Sequence, residues 1–116
     1  MELSERRVGD VVIVDVSGRI TLQAGGDQLV KDKVRSLLQQ GHLKLLLNLG
    51  RVSYVDSAGL GEIVSSLATV KSNGGSLKLL NVTKRLHDLL AITRLLTVFE
   101  TFDGEAEAVT SFSAAV

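Results

Sequence analysis

The amino-acid sequence contains no cysteine, no proline and no tryptophan. Without cysteine, disulfide bonds, zinc–thiolate sites and thiol catalysis are excluded. The aromatic residues are one tyrosine and three phenylalanines, which are too few for the stacking platform that single-stranded nucleic-acid binders use. Because proline is absent, glycine must supply the turns, and the eleven glycines cluster at the ends of the predicted helices and strands.

The charges are balanced, with 13 basic and 13 acidic residues. This balance indicates neither a nucleic-acid footprint nor a polybasic membrane surface, so we expect the partners to be proteins or small molecules. No apolar run approaches the ~20 residues that span a bilayer. The first seven residues, MELSERR, lack the apolar core of a signal peptide. We therefore expect a cytoplasmic protein without membrane insertion.

The length of 116 residues is typical of one domain, and we predict a single domain over residues 1–116. Segments with strand character alternate with segments in which apolar residues recur at helical spacing. Only Val8-Gly9-Asp10 separates the first two strands, which predicts an antiparallel hairpin, whereas connections that contain a helix predict parallel pairs. The sequence thus predicts a layered α/β domain with a mixed sheet of four to five strands and about four helices.

The predicted boundaries follow from the apolar pattern and the turn residues. The strands are predicted at residues 2–7, 11–17, 43–49, 76–81 and 98–102, with residues 18–22 leaving the sheet as a loop. The first helix is predicted at residues 26–40, and the second runs from a cap at residue 56 or 57 to the glycines at 74 and 75. A third helix is predicted after a cap at Thr83. A fourth is predicted after a cap at Asp103, with Ala106, Val109 and Phe112 facing the core.

The stretch from Arg51 to Gly61 is predicted to join an apolar strand to an amphipathic helix through a short polar turn. Asp56 or Ser57 is placed to cap the helix by accepting a hydrogen bond from an N–H group of its first turn. The small residues Ala58 and Gly59 leave these N–H groups accessible. A serine hydroxyl is thus expected at a helix N-terminus, where an anion or a phosphate is favoured.

Three interpretations of Ser57 follow from this position. As a capping residue alone, it contributes ~1 kcal/mol to the helix. As a phosphoacceptor, it would place the added charge against the helix N-terminus and beside Asp56, so that phosphorylation changes a surface and leaves the core intact. As a catalytic nucleophile it has little support, because Val55 occupies the first glycine position of the G-x-S-x-G elbow and nothing indicates that His42 or His87 acts as a base.

No other group of residues indicates a catalytic or ligand site. No cluster of potential ligands indicates a metal, and the pairs Gly25-Gly26 and Gly74-Gly75 lack the spacing and the lysine of a phosphate-binding loop. We therefore predict no cofactor and no catalytic residue.

Three stretches of the sequence resemble the STAS domain of the bacterial anti-sigma factor antagonists. The first is VVIVDVSGRI at residues 11–20. The second comprises LLNL at residues 46–49, Val52, and YVDSAGLG at residues 54–61. The third is GGSLKL at residues 74–79. The resemblance covers nearly the whole chain in the right order. Its most specific part is the segment Asp56-Ser57-Ala58-Gly59-Leu60.

The resemblance implies a non-enzymatic switch. In this family, the serine that matches Ser57 is phosphorylated by a partner that is both an anti-sigma factor and a serine kinase of the histidine-kinase-like ATPase fold. The unphosphorylated form binds that partner and frees a sigma factor, and a serine phosphatase resets the switch. The implied partner-binding residues are Ile20, Thr21, Leu22, Asp56, Ser57, Ala58, Gly59, Leu60 and Gly61. Family members often carry an acidic residue where Thr21 stands in this sequence.

Two alternatives remain open at this point. The chain could be a STAS-like scaffold subunit of a lipid or anion transport system, in which the same helix docks an ATPase or a membrane subunit without phosphorylation. It could also be a small hydrolase with Ser57 as the nucleophile, for which a lost esterase activity in Ser57→Ala would be the required evidence.

Overall fold

The computed structural model describes residues 2–22 and 26–113. Within these residues, five strands and four helices follow one another along the chain. They are β1 (Glu2–Val8), β2 (Val11–Ile20), α1 (Gly26–Gln39), β3 (Lys44–Val55), α2 (Ser57–Ser72), β4 (Ser76–Leu80), α3 (Lys84–Ile92), β5 (Thr101–Phe102) and α4 (Glu105–Ser113).

The five strands form one mixed sheet in the order β1-β2-β3-β4-β5. The β1–β2 pair is antiparallel and the three other pairs are parallel. The parallel strands are joined by α1, α2 and α3, because a parallel connection must return the chain to the other end of the sheet. The predicted α/β fold, with an antiparallel N-terminal hairpin and about four helices, is confirmed.

The sheet is covered on both faces. The larger core lies between one face and the helices α1, α2 and α3, and a smaller core lies between the other face and α4. Successive residues of β2 alternate between the two cores, with Val12 and Val14 in the larger one and Val11 and Ile13 in the smaller one. This double burial explains the run of β-branched residues in β2 and confirms the predicted strand.

Two strands are longer than predicted. The residues expected to leave the sheet as a loop continue β2 as far as Ile20, and the polar turn expected after Leu49 is a continuation of β3 as far as Val55. The ends of these strands pair with each other, with Ile20 opposite Val55. The sequence pattern hid this extension because β3 has an extra residue at each of two bulges, which breaks the alternation of polar and apolar residues.

The C-terminal part also differs from the prediction. β5 has only two residues. In α4, Val109 packs half-buried against the smaller core as predicted, and the predicted Ala106 is exposed. Ala108, which was not predicted, and Phe112, which was, are buried. Two residues four positions apart lie on one helix face, which explains why this pair faces the core. The first backbone hydrogen bond of α4 runs from the N–H of Ala108 to the carbonyl of Gly104, so the predicted cap at Asp103 is one residue too early. The predicted cap at Thr83 is confirmed.

Candidate functional site

A single residue, Asp56, separates the end of β3 from the start of α2. Its backbone is extended, with φ −91° and ψ −178°, and its Oδ1 accepts a hydrogen bond from the N–H of Gly59 at 2.7 Å. Asp56 is therefore the N-cap of α2, and Ser57 is the first helical residue. This geometry decides between the two caps that the sequence left open.

Asp56 also ties the start of α2 to the end of β2. Its Oδ2 accepts a hydrogen bond from the N–H of Leu22 at 3.1 Å, and its own N–H donates to the carbonyl of Ile20 at 3.3 Å. The hydrogen bond from Gly59, followed by that from Leu22, lowers the pKa of the Asp56 carboxyl below its ordinary value, because both favour the ionised form. Asp56 is thus a carboxylate at neutral pH, held by two backbone donors.

Gly59 brings the first turn of α2 into direct contact with the backbone of β2. A Cβ atom at this position would lie 2.0 Å from the carbonyl oxygen of Ile20, which leaves no room for any side chain. Ile20 itself is fully buried. The position of the α2 N-terminus relative to the sheet is therefore fixed by a backbone-to-backbone contact that only glycine allows.

Ser57 is exposed at this fixed helix N-terminus. In the described part of the chain, its hydroxyl has no hydrogen-bond partner, because Asp56 performs the capping. The first turn of α2 contains no acidic residue. The site therefore presents a free hydroxyl beside N–H groups that favour an anion and beside one carboxylate.

The structure brings the predicted partner-binding residues together at the carboxyl ends of β2 and β3, but they differ in exposure. Leu22, Ser57 and Gly61 are exposed, with Leu22 exposed over 66% of its surface. Asp56 and Ala58 are half-buried. The buried members, which can act only by positioning the others, are Ile20, Thr21, Gly59 and Leu60.

Sequence reasoning missed a group of residues just before this junction. The guanidinium carbons of Arg19 and Arg85 lie 5.4 and 5.5 Å from the ring centroid of Tyr54. The three residues come from β2, β3 and α3. The sequence does show an aromatic residue, Tyr54, close to the motif. It does not show which cations contact the Tyr54 ring, because that depends on the strand register.

Among the residues that the structure describes, none forms an arrangement suited to nucleophilic catalysis or metal binding. The Nε2 atom of His42 lies 3.1 Å from a guanidinium nitrogen of Arg7, and His87 lies on α3 with Nδ1 3.9 Å from Asp88. Neither imidazole contacts Ser57 through a hydrogen bond. Over residues 2–22 and 26–113, no group of three or more histidine, aspartate and glutamate side chains could hold a metal ion. Among the described residues, no helix combines the length and the apolar composition that a membrane span requires.

Comparisons with known proteins agree with the resemblance. The family model for the STAS domain matches residues 3–108. The anti-sigma-B factor antagonist of Bacillus subtilis strain 168 is 38% identical over 87 residues, which are 75% of this chain and 77% of that protein.

Solved structures of similar proteins share the fold. The crystal structure of a Thermotoga maritima protein, provisionally named an anti-sigma factor antagonist, has a TM-score of 0.87 at 28% identity and covers 96% of this chain and 94% of its own. SpoIIAA of Bacillus, solved in its phosphorylated form, has a TM-score of 0.74 at 19% identity over 95% of this chain and 98% of its own, which shows a common fold alone. The protein therefore belongs to the STAS domain family, among relatives named as anti-sigma factor antagonists.

Proposed function

We propose that this protein is an anti-sigma factor antagonist whose binding is controlled by phosphorylation of Ser57. In the cytoplasm, the unphosphorylated form binds an anti-sigma factor that is also a serine kinase of the histidine-kinase-like ATPase fold, and so frees a sigma factor for transcription. The kinase transfers the γ-phosphoryl group of ATP to the Oγ of Ser57, ADP leaves, and a base of the kinase takes up the hydroxyl proton. A serine phosphatase hydrolyses the new ester and restores the binding form.

The observation that carries this proposal is the free hydroxyl of Ser57. A serine that served only as a cap would use its oxygen to accept a hydrogen bond from the first turn of α2. Here Asp56 accepts that bond from Gly59 at 2.7 Å. Ser57 is thus exposed and available to a kinase, and the purely structural interpretation of this serine loses its main support.

A phosphate at Ser57 would act on the surface and leave the core unchanged. Its charge of about −2 at neutral pH is stabilised by the N-terminus of α2 and is repelled by the Asp56 carboxylate, whose lowered pKa keeps it ionised. The partner would have to remove water from two adjacent anionic groups in order to bind. A loss of ~2.8 kcal/mol from this effect lowers affinity a hundredfold.

The relatives support the proposal in two ways. Names such as anti-sigma-B factor antagonist describe proteins that oppose an anti-sigma factor, and such a protein is the partner proposed here. SpoIIAA, which shares the fold, exists in a phosphorylated form, so a domain of this architecture accommodates the modification.

The experiment that tests the proposal is a pull-down from lysate of the native organism with the wild type, Ser57→Ala and Ser57→Asp side by side. Mass spectrometry identifies the bound proteins. We expect the wild type and Ser57→Ala to capture a histidine-kinase-like ATPase and Ser57→Asp to lose it. Ser36→Asp, which adds the same charge to an exposed serine of α1, is the matched control and should bind like the wild type.

Two results would contradict the proposal. Equal capture of the ATPase by Ser57→Asp and the wild type would show that charge at this position does not control binding. Capture of transporter subunits by all variants would favour the scaffold alternative and leave Ser57 without a regulatory role.

A further inference from the structure

We infer that Arg19, Tyr54 and Arg85 form a second contact surface beside Ser57 and that this surface binds a carboxylate-bearing segment of the protein partner. We call these three residues the Arg–Tyr–Arg cluster. The inference deepens the proposed function and rests on it, because the partner is the same anti-sigma factor kinase.

The cluster is an exposed and ordered arrangement. Tyr54 is 37% exposed, and both guanidinium groups lie within 5.5 Å of its ring centroid. Arg19 is held opposite Tyr54 by the register of β2 with β3, and Arg85 lies in the first turn of α3, two residues after the Thr83 cap. Cation–π contacts with the ring restrict both arginine side chains before a partner binds. Binding therefore costs less side-chain conformational entropy.

The two guanidinium groups still have their hydrogen-bonding capacity available. Neither forms an ion pair or a hydrogen bond with any residue whose position the structure describes. By contrast, many other cations of the protein are paired with carboxylates: Arg6 with Asp15 and Glu105, Lys31 with Glu62, Lys33 with Glu5, Lys44 with Asp10, and Lys78 with Glu100. The cluster therefore presents two unneutralised charges in fixed positions.

The chemistry of these groups identifies the kind of partner segment. The planar guanidinium group donates two parallel hydrogen bonds to one carboxylate, and arginine is the side chain best suited to this recognition. Tyrosine and arginine are also enriched among the residues that dominate protein–protein binding. Glutamate or aspartate side chains on a partner surface complement both the charge and the geometry of the cluster.

The position of the cluster connects it to the switch. Tyr54 precedes Ser57 by three residues, so their Cα atoms are at most about 11 Å apart. The cluster and Ser57 are thus close enough for one partner surface to cover both. The switch and the cluster would then act on the same interface.

The test measures binding of the purified anti-sigma factor kinase of the native organism to the full chain by titration calorimetry, at low and high salt of about 0.05 and 0.5 M. The variant is Arg19→Gln/Arg85→Gln. Its matched control is Arg35→Gln/Lys71→Gln, which removes two exposed charges near the opposite ends of α1 and α2, with Lys71 about 20 Å along α2 from Ser57.

We expect the cluster variant to bind at least about tenfold more weakly at low salt and to lose most of the salt dependence of the wild type. The control should bind within about twofold of the wild type. If thermal unfolding shows that the glutamine variant is not folded, Arg19→Lys/Arg85→Lys, which keeps the charges but not the planar fork, is expected to lose affinity in the same direction.

The cluster and the switch can fail separately in this experiment. If the folded cluster variant binds with the affinity and salt dependence of the wild type, while Ser57→Asp does not bind, the inference is wrong and the proposed function stands. If Ser57→Asp and the wild type bind the kinase equally, the switch is wrong, and the cluster variant still reports whether the arginines contact that protein.

Discussion

Replacing Gly59 by alanine should displace the N-terminus of α2 and destabilise the protein. The new Cβ would meet the carbonyl oxygen of Ile20 at 2.0 Å and its carbonyl carbon at 2.9 Å, both of which are backbone atoms at the end of the inner strand β2. Neither can rotate away as a side chain could, so the helix start must move. Such movement also strains the hydrogen bonds that Asp56 forms with the N–H groups of Gly59 and Leu22.

The size of the effect can be worked out from the overpacking of a rigid contact, which reaches about 3 kcal/mol at its upper end. The unfolding entropy of a protein of this length is ~0.24 kcal/mol per kelvin, from the average value per residue. Gly59→Ala should therefore lower the melting temperature by about 12 °C. The assay is thermal unfolding, monitored by the helix signal in far-ultraviolet circular dichroism. Urea unfolding gives a second measure of the same free energy.

Gly61 supplies the matched control within the same helix. A Cβ at Gly61 meets no atom within 4 Å, and the residue lies in the first turns of α2. Gly61→Ala should stabilise the protein by about 0.5–1 kcal/mol, since alanine has the better helix propensity. If Gly59→Ala and Gly61→Ala have equal melting temperatures, the close contact with Ile20 does not fix the helix, and our description of the site is wrong.

Three further predictions concern the same region and the core. The wild type should have a higher free energy of unfolding than Asp56→Ala, with the largest difference above the ordinary aspartate pKa of about 3.9. This difference should disappear as the pH falls through the lowered pKa of Asp56. A difference independent of pH in urea titrations would contradict this. Ser57→Asp should change the free energy of unfolding by no more than about 0.5 kcal/mol, because the residue is exposed; a large loss would mean that weaker partner binding reflects unfolding. Leu47→Asp should abolish cooperative unfolding because it buries an unpaired charge in the larger core, and a normal urea transition would reject this core assignment.

Much of the fold was predictable from local patterns. The run Val11–Val14 and the leucines of β3 indicated strands buried on both faces, and the spacing of Leu60, Ile63 and Leu67 indicated the buried side of α2. These features depend on periodicity, which the sequence displays directly. The short first connection was sufficient to predict the antiparallel hairpin.

The missed features depend on pairings between distant residues. The local pattern predicts a loop over residues 18–22 and a polar turn after Leu49, whereas both stretches continue their strands. The two bulges of β3 that make this pairing possible are visible only in the register. The choice between Asp56 and Ser57 as the cap depended on which oxygen reaches the N–H of Gly59. The local sequence contains both candidates but not their geometry.

The Arg–Tyr–Arg cluster was beyond prediction for the same reason. Tyr54 is 35 residues from Arg19 and 31 from Arg85 along the chain, and the three meet only because β2, β3 and α3 pack in the observed order. A shift of one residue in the strand register would move Arg19 to the other face of the sheet.

The order of the strands also bears on how the chain folds. Each strand pairs with the strand that precedes it in the sequence, so β1 to β5 can be added to the sheet one after another as they leave the ribosome. The hairpin joins Val8 to Val11, which are three positions apart, whereas a parallel pairing joins residues such as Val12 and Leu45, which are 33 positions apart. Local contacts therefore favour the hairpin as the first pairing. The absence of proline removes the slow isomerisation step that delays many proteins of this size. The sheet can grow from the hairpin strand by strand, and α4, which places Phe112 in the smaller core, follows β5 in that order.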